Sequence, residues 1–363
     1  MNQRRAGIAL ALSLLLLLAL AGAIAIRLSE SPVPAAAPPE SRWYALYLTR
    51  PGERHHPDHQ TIDEGVVARI DAATATIDAA IYEMDLAAVA RSLVAAARRG
   101  VQVRVVTDGD TIEARDRDPA TDEAFAILER AGVPIRADTR SAIMHHKFAV
   151  FDRAIVWTGS WNWTEGDSRR LDNNAVSFTS PDVAADYAAE FERLFAGRFG
   201  SAKDAGARRD AVAVGPARVR VFFAPEDRIA PAIETAIRQA TSEVQFLAFA
   251  FTHDGIGRAL IDLGPRAVRV RGVFDRTMAG GSVSEFARLL RAGFEVYQDG
   301  NPGFMHHKVV VIDRKVTIVG SLNFSAAGIE SNDENVLMIE DVDLASDFVA
   351  ETDRVVAVAR RRG

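Results

Sequence analysis

Residues 144–152 read MHHKFAVFD, and residues 305–313 read MHHKVVVID. Each stretch is followed by a similar tetrapeptide, GSWN at 159–162 and GSLN at 320–323. Both copies therefore have the form His-x-Lys-x4-Asp-x6-Gly-Ser-x-Asn at identical spacing. A pattern that occurs twice in one chain predicts a duplicated structural unit.

The similarity between the two copies extends to the sequence around them. Asp108 matches Asp275 at an offset of 167 residues, whereas the motifs match at an offset of 161. The difference of six residues predicts an insertion in the first half, within its charged stretch after residue 114. We expect two related halves, 43–199 and 218–363, joined by a Gly-, Ala- and Arg-rich linker over 200–217.

Each half alternates strand-like and helix-like stretches. In the first half, residues 77–82 read as a strand and 86–99 as an amphipathic helix that Gly100 ends. Residues 101–107 then read as the next strand. This β-α-β rhythm predicts an α/β fold with mixed sheets whose strands are mostly parallel.

The N-terminus is predicted to be a targeting segment. Arg4 and Arg5 precede an apolar run over 6–26, which as a helix would be about 31 Å long, close to the thickness of a bilayer. Both an uncleaved signal anchor and a cleaved signal peptide fit this run. A Pro-rich tether follows over 27–42. Either alternative places the rest of the chain outside the cytoplasm, membrane-anchored or secreted.

Composition narrows the class of protein. The 363 residues are 48% hydrophobic and 25% charged, as expected for a globular chain. The absence of cysteine excludes disulfides and thiolate metal sites. A net charge of −6 gives no general attraction to polyanions, so a nucleic-acid ligand would need a local basic groove.

The motif residues suit chemistry on a phosphate. Because side chains alternate along a strand, His145 and Lys147 are expected on one face and His146 on the other. His306 and Lys308 repeat this arrangement. A neutral imidazole is a nucleophile or base, a protonated one is an acid, and lysine donates to phosphate oxygens. Two copies that face each other would combine both histidine roles in one site.

The doubled motif resembles the HKD signature of the phospholipase D superfamily, and the resemblance extends from residue 43 to the C-terminus. It implies two duplicated α/β/α sandwich halves related by a pseudo-two-fold axis. It also implies cofactor-free and metal-free chemistry, in which one histidine attacks phosphorus and the other protonates the leaving alcohol. The resemblance assigns catalysis to His145 and His306, phosphate binding to Lys147, Lys308, Asn162 and Asn323, and support at the strand ends to Asp152 and Asp313, the remaining members of the catalytic motif. The hydroxyls of Ser160 and Ser321 in the Gly-Ser-x-Asn segments are expected to add donors for the phosphate.

The superfamily often places an acid after the motif asparagine, where it orients a catalytic histidine. Glu334 fits this position in the second half, and Asn173 stands in its place in the first half. We expect Glu334 near His306, making that histidine the general acid, and Asn173 near His145, leaving it as the nucleophile.

Two weaker signals remain open. A tryptophan cluster in the first half could be an aromatic floor for a ligand, although core packing is favoured. A histidine-rich cluster near the tether could bind a metal, although an exposed polar loop is favoured. The two clusters are Trp157, Trp161 and Trp163, and His55, His56, Asp58 and His59.

These observations predict a phosphodiesterase that hydrolyses phospholipids to phosphatidic acid, with a membrane and a phosphodiester substrate as its partners and no obligatory protein partner. An exported nuclease using the same site is the first alternative, and a cardiolipin synthase-like phosphatidyl transferase is the second. A catalytically inactive adaptor is disfavoured because both sets of histidine, lysine and asparagine are intact.

Overall fold

Two mixed β-sheets, one in each half, carry the motif strands. The computed structural model describes residues 42–51, 60–204 and 210–362. The strands of the first sheet are β1 (Tyr44–Leu48), β2 (Thr76–Ile81), β3 (Gln102–Asp108), β4 (Ile135–Asp138), β5 (Lys147–Phe151), β6 (Ile155–Gly159) and β7 (Asn174–Thr179). The strands of the second sheet are β8 (Val212–Val214), β9 (Ala217–Ala224), β10 (Glu243–Ala248), β11 (Arg269–Phe274), β12 (Glu295–Gln298), β13 (Lys308–Ile312), β14 (Val316–Gly320) and β15 (Glu334–Glu340).

Helices connect and cover these strands. The helices of the first half are α1 (Ile62–Ala72), α2 (Ala87–Arg98), α3 (Gly109–Ala114), α4 (Pro119–Arg130), α5 (Glu165–Arg169) and α6 (Pro181–Phe195). The helices of the second half are α7 (Ile229–Arg238), α8 (Asp254–Ile261), α9 (Arg276–Ala279), α10 (Phe286–Arg291), α11 (Ala326–Glu330) and α12 (Val342–Arg362). The predicted strand-helix-strand unit of the first half matches β2, α2 and β3, and Gly100 follows α2 with a φ of 94°.

Most neighbouring strands are antiparallel, so the prediction of mostly parallel sheets is wrong. The strand orders are β1-β7-β6-β5-β2-β3-β4 and β12-β11-β10-β13-β14-β15-β9-β8. Parallel pairing is confined to β2-β3-β4 and β10-β11-β12. The β-α-β rhythm does not continue into the motif strands, because a tight turn with positive φ at Asp152 and Arg153 joins β5 to β6. Such a turn forces antiparallel pairing.

Seven strands of the second sheet repeat the order of the first sheet, and β8 is an additional edge strand, which supports the predicted duplication. Within the described residues of the predicted linker, 200–204 and 210–217, lie the 3₁₀ turn Gly200–Ala202, the edge strand β8 and the buried side chain of Lys203. Part of the predicted linker thus extends the second sheet.

Apolar residues cover both faces of each sheet. Val150 on β5 belongs to a core cluster that also includes residues of the second half, whereas Phe151 belongs to a cluster within the first half. Helices α6 and α12 contribute to the shared cluster. Helices α1, α2 and α4 cover the outer face of the first sheet, and α7, α8 and α10 cover that of the second. Alternating side chains on continuous apolar strands therefore explain the layered packing.

Some predictions concern residues outside the described part of the chain. They are the anchor or signal at 1–26, nearly all of the tether at 27–42 and the histidine-rich cluster at 55–59. In the part that the structure describes, no helix has the length and apolar character needed to span a bilayer.

Candidate active site

The two motif segments are held in place by reciprocal backbone contacts between the halves. The amide of His145 donates to the carbonyl of Asp333 at 2.9 Å, and the amide of His306 donates to the carbonyl of Asp172 at 2.9 Å. His145 and His306 precede β5 and β13, and Asp172 and Asp333 precede β7 and β15, so these strands begin at the boundary with the other half. Such reciprocity is what a two-fold relation between the halves requires.

Each catalytic candidate histidine meets an acceptor from the opposite half. The Nδ1 atom of His145 lies 2.8 Å from Oε1 of Glu334, and Nδ1 of His306 lies 2.9 Å from Oδ1 of Asn173. The expectation that Glu334 lies near His306 is therefore wrong. Sequence comparison identified both acceptors, but the pairing is decided by the packing of one half against the other.

The two motif serines lie behind these acceptors. Ser160 donates from Oγ to Oδ1 of Asn173 at 2.8 Å, and Ser321 donates to Oε2 of Glu334 at 2.5 Å. Both serines are fully buried. Their hydroxyl protons are thus committed to positioning Asn173 and Glu334, which argues against the expected phosphate-binding role of Ser160 and Ser321.

The two lysines carry buried positive charge beside the histidines. Lys147 donates from Nζ to the carbonyl of His145 at 2.9 Å, and Lys308 donates to the carbonyl of His306 at 2.8 Å. Burial lowers the pKa of Lys147 to about 8. Burial, and then the charge of Lys147, also lowers the pKa of Lys308 well below its ordinary value. An anion between the lysines would relieve this mutual repulsion.

The motif asparagines present unpaired oxygens. Within the described residues, Oδ1 of Asn162 and Oδ1 of Asn323 are buried without a hydrogen-bond partner. A buried amide group without a partner costs free energy, so such groups are typical of a site that a ligand completes. An amide oxygen is an acceptor, so the expected phosphate-binding role of Asn162 and Asn323 would use their Nδ2 groups as donors, and it stays a prediction.

Burial disfavours positive charge on both histidines. The pKa of His145 is lowered well below its ordinary value by burial and then by Lys147 and Lys308. The pKa of His306 is lowered to about 4 by burial and then by Lys308. Because Asn173 accepts from Ser160, its Oδ1 faces His306 as an acceptor, so Nδ1 of His306 carries the proton. The lone pair of a neutral His306 is then on Nε2.

The second histidine of each motif points away from the site, as strand alternation predicted. His146 contacts Oε1 of Glu190 at 3.2 Å, and His307 contacts Oε1 of Glu351 at 3.2 Å. His146, Glu190 and Asp333 together have the composition of a metal site. However, the ammonium of Lys203 contacts Glu190 and lies 2.7 Å from Oδ1 of Asp333. This lysine already supplies the positive charge, so the cluster does not call for a metal.

Asp152 and Asp313 lie at the far end of the motif strands, away from the histidines. Asp152 accepts from the amides of residues 74–76, and Asp313 accepts from those of residues 241–243. These bonds close the start of β2 and β10 against the motif hairpins. Both aspartates are therefore structural members of the motif, as expected, and they do not belong to the catalytic group of the site.

The tryptophan cluster belongs to the core. Trp157, Trp161 and Trp163 are buried in the apolar cluster of the first half, as favoured from sequence. Instead, other rings face the motif. Tyr82 packs edge-on against His145 with ring centroids 5.0 Å apart, and Phe249 packs against His306 at 4.8 Å. They occupy equivalent positions at the offset of 167 residues, so sequence comparison between the halves contained this signal.

Sequence reasoning also missed the acidic wall beside His306. A cavity of about 530 Å³ opens here, and Asp167 and Phe304 are among its lining residues. Asp167 lies with Oδ2 3.5 Å from Nδ1 of His306. The other carboxylates in the lining are Glu83, Asp85, Asp110 and Asp118, and the one basic residue is Arg170. This cavity borders the site through Asp167 but has no residue of the two motifs among its lining residues, and neither does a second cavity of about 460 Å³, which Ala97 and Phe195 help to line.

Known proteins resemble both halves of this chain. A family model described as "Cardiolipin synthase, PLD-like domain" matches residues 66–195 and 233–356. A mitochondrial cardiolipin hydrolase from Mus musculus is 38% identical over 120 residues, which are 33% of this chain and 54% of the mouse protein. A phospholipase D from Rickettsia bellii is 36% identical over 132 residues, which are 36% of this chain and 66% of that protein.

A solved structure shares the fold over most of the chain. The crystal structure of phosphatidylserine synthase from Haemophilus influenzae covers 87% of this chain and 86% of its own, with a TM-score of 0.64 and 12% identity. At this identity the likeness concerns the fold alone. The chain spans about half the length of the mouse relative, so a relative's name does not assign this chain a substrate. The family model covers both halves and both motifs, and the chain belongs to the phospholipase D superfamily.

Proposed function

We propose that this protein is a phosphodiesterase of the phospholipase D type that hydrolyses phospholipids to phosphatidic acid and a free headgroup. The observation that carries the proposal is the pair of histidines, one from each half, whose Nδ1 atoms are held by Glu334 and Asn173 of the opposite halves. Neither half contains both a nucleophile and an acid with these partners. The two halves together provide one complete site.

The reaction proceeds in two steps through a phosphohistidine. Nε2 of His145 attacks phosphorus, and the bond from phosphorus to the headgroup oxygen breaks as protonated His306 donates its proton to that oxygen. In the second step, neutral His306 takes a proton from water. The resulting hydroxide oxygen bonds to phosphorus, and the N–P bond to His145 breaks to release phosphatidic acid.

The choice of His145 as nucleophile now rests on a different partner from the one expected. When Glu334 is ionised, it accepts the Nδ1 proton of His145, which leaves the attacking lone pair on Nε2. The carboxylate also stabilises the positive charge that the ring gains when it becomes phosphorylated. Acid-labile phosphate on His306 instead of His145, mapped by peptide analysis after rapid quenching, would reverse the assignment.

The buried lysines and asparagines suit the charge that develops on the phosphate. Lys147 and Lys308 provide two ammonium groups, and the Nδ2 groups of Asn162 and Asn323 are further donors. Donors that are already fixed in a buried site stabilise a transition state more strongly than mobile water does. This arrangement supports a phosphodiester substrate without specifying what the phosphate joins.

The acidic wall of the cavity favours a lipid headgroup over nucleic acid. The cavity is lined by five carboxylates and one arginine, so a second phosphate of a polynucleotide would be repelled there. A cationic headgroup such as choline or ethanolamine would be attracted. The predicted segment at 1–26 adds support, because an anchor would keep the site close to lipid headgroups and raise their effective concentration.

The experiment compares substrates on the full-length chain reconstituted in vesicles. We expect headgroup release from phosphatidylcholine to exceed that from phosphatidylglycerol, with EDTA having no effect and His145→Ala serving as the inactive control. Transfer of the phosphatidyl group to added glycerol, in preference to water, would support the transferase alternative. Cleavage of DNA or RNA without headgroup release from either lipid would leave the phosphodiesterase proposal standing and overturn the choice of lipid.

A further inference from the structure

The two halves differ at one position next to the site. Helix α5 places Asp167 in the first half where helix α11 of the second half has Gly328. Asp167 is 5% exposed, and its Oδ2 lies 3.5 Å from Nδ1 of His306. The first half, which lacks a carboxylate at position 173, therefore brings one to the same histidine from position 167.

The carboxylate of Asp167 is held in a fixed orientation. Its Oδ2 accepts from the backbone amide of Asn162 at 3.0 Å and from Nδ2 of Asn173 at 3.2 Å. The backbone amide of Asp167 donates to Oγ1 of Thr164, which caps the short helix, at 3.1 Å. These bonds join Asp167 to both the motif asparagine and the acceptor of His306, so its position is not that of a freely solvated surface acid.

The second half has no room for a side chain at the position equivalent to Asp167. A Cβ atom added to Gly328 would lie 2.5 Å from the backbone oxygen of Asn323, closer than real Cβ contacts. A side chain at this position would require the backbone to shift. The second half carries its acid at Glu334 instead, so each half supplies one carboxylate, but from different places.

We infer that Asp167 is a positioning residue that provides His306 with the negative charge that Glu334 provides to His145. This inference rests on the proposed function of His306 as general acid. Asn173 orients the imidazole as a neutral acceptor, and Asp167 stabilises the protonated ring. Glu334 performs both of these roles for His145, whereas two residues share them for His306.

The charge balance around His306 explains why a carboxylate is needed. His306 faces the ammonium groups of Lys308 and Lys147 as well as His145. All three disfavour a positive charge on the imidazole of His306. Burial and Lys308 lower the pKa of His306, whereas the hydrogen bond and charge of Asp167 raise it. In turn, His306 and the amide of Asn162 outweigh burial and hold the pKa of Asp167 below its ordinary value. Asp167 is therefore ionised and supports the proton that a general acid must carry.

The first test uses Asp167→Asn in the full-length chain with two phosphodiesters. One substrate has an alkyl leaving group that needs protonation, and the other has p-nitrophenol, which leaves without it. We expect kcat for the alkyl substrate to fall roughly 10-fold or more, with a much smaller loss for the p-nitrophenyl substrate. The alkaline limb of the kcat profile should also move to lower pH, because His306 loses its proton more easily. Glu165→Gln removes an exposed charge from the same helical turn and is the matched control.

The second test moves the acid to the position that the other half uses. Asp167→Gly should lose activity, and adding Asn173→Glu to it should restore activity toward the wild-type value, because the pair then has the arrangement of Gly328 and Glu334. Thermal unfolding of each variant separates this rescue from changes in folding. A folded double variant that is no faster than Asp167→Gly would overturn the inference.

A third measurement does not depend on turnover. Nitrogen-15 NMR of labelled histidines should show the midpoint for protonation of His306 at lower pH in Asp167→Asn than in the wild type, with that of His145 changed less. Equal midpoints, or Asp167→Asn matching Glu165→Gln in kcat and pH profile, would refute the role of Asp167. If the wild type cleaves neither phosphodiester, the proposed function fails, and the NMR comparison alone decides whether Asp167 supports the charge on His306.

Discussion

The surroundings of His145 and His306 show how a duplicated site becomes asymmetric. The backbone contacts, the lysine carbonyl bonds and the aromatic rings are equivalent in the two halves. The acceptors are different. His145 meets one carboxylate, Glu334, whereas His306 meets the amide of Asn173 with Asp167 behind it. The backbone frame has thus kept its two-fold relation while the side chains that control proton transfer have diverged.

This difference bears on the chemistry because the two histidines must do different things. A nucleophile needs a lone pair on Nε2, and a general acid needs a proton there. Glu334 is fully buried, and burial raises its pKa to about 8 even though Lys147 opposes this shift. Asp167 instead has a lowered pKa and stays ionised. The comparison therefore predicts different pH dependence for the two halves of one site.

Removing either histidine is expected to have the largest effect. His145→Ala and His306→Ala should each lower kcat by several orders of magnitude. The first removes the nucleophile, and the second removes the general acid and base. The double variant should lose little more. With the p-nitrophenyl substrate, which needs no general acid, phosphohistidine should accumulate in His306→Ala because its hydrolysis by water lacks the base, and it should be absent from His145→Ala. Substantial activity in either single variant, measured as headgroup release, would contradict a shared site.

A smaller but still large effect is expected for Glu334→Gln. The ionised carboxylate is needed to take the Nδ1 proton of His145, so with the p-nitrophenyl substrate, whose cleavage does not need protonated His306, we expect kcat/KM of the wild type to rise with pH through about 8. The substitution should remove this limb and lower the plateau roughly 100-fold. A pH profile that keeps the limb in Glu334→Gln would assign it to another group.

The same substitution should affect stability in the opposite direction. The pKa of Glu334 is raised by burial, so its contribution favours folding at low pH and is lost as pH rises from its ordinary value toward about 8. Glu334→Gln avoids the cost of an ionised buried group. Its Tm should therefore exceed that of the wild type above pH 8 and approach it near pH 4. A lower Tm at both pH values would show that the carboxylate is needed for folding.

The smallest effect on chemistry is expected at the far ends of the motif strands. Asp152→Ala and Asp313→Ala should each destabilise the fold by about 1–3 kcal/mol, because backbone amides lose their acceptor, while kcat of the folded fraction stays near that of the wild type. Despite burial, bonds from the amides of Ser242 and Glu243 lower the pKa of Asp313 to about 2. Its stabilisation should be present above the ordinary carboxyl pKa and lost as pH falls toward 2. A selective loss of kcat without a change in denaturant midpoint would show that these aspartates act in catalysis.

The duplication, the family resemblance and the face on which each motif side chain lies all follow from the amino-acid sequence. These are local properties. A strand has a period of two residues, so the separation of His145 from His146 follows from the backbone alone. The burial of Trp157 and its neighbours was likewise readable from the apolar character of their segment.

Which residues meet across the site depends instead on tertiary packing. Glu334 and His145 are 189 positions apart, and Asn173 and His306 are 133 apart, so no local pattern could pair them. The same holds for Lys203, because its contacts with Glu190 and Asp333 could not be predicted from the sequence. The antiparallel pairing of the motif strands also depended on a tight turn that the β-α-β rhythm concealed. Period and composition fix what each segment presents, but contacts between distant segments depend on how the two halves pack, which no single segment encodes.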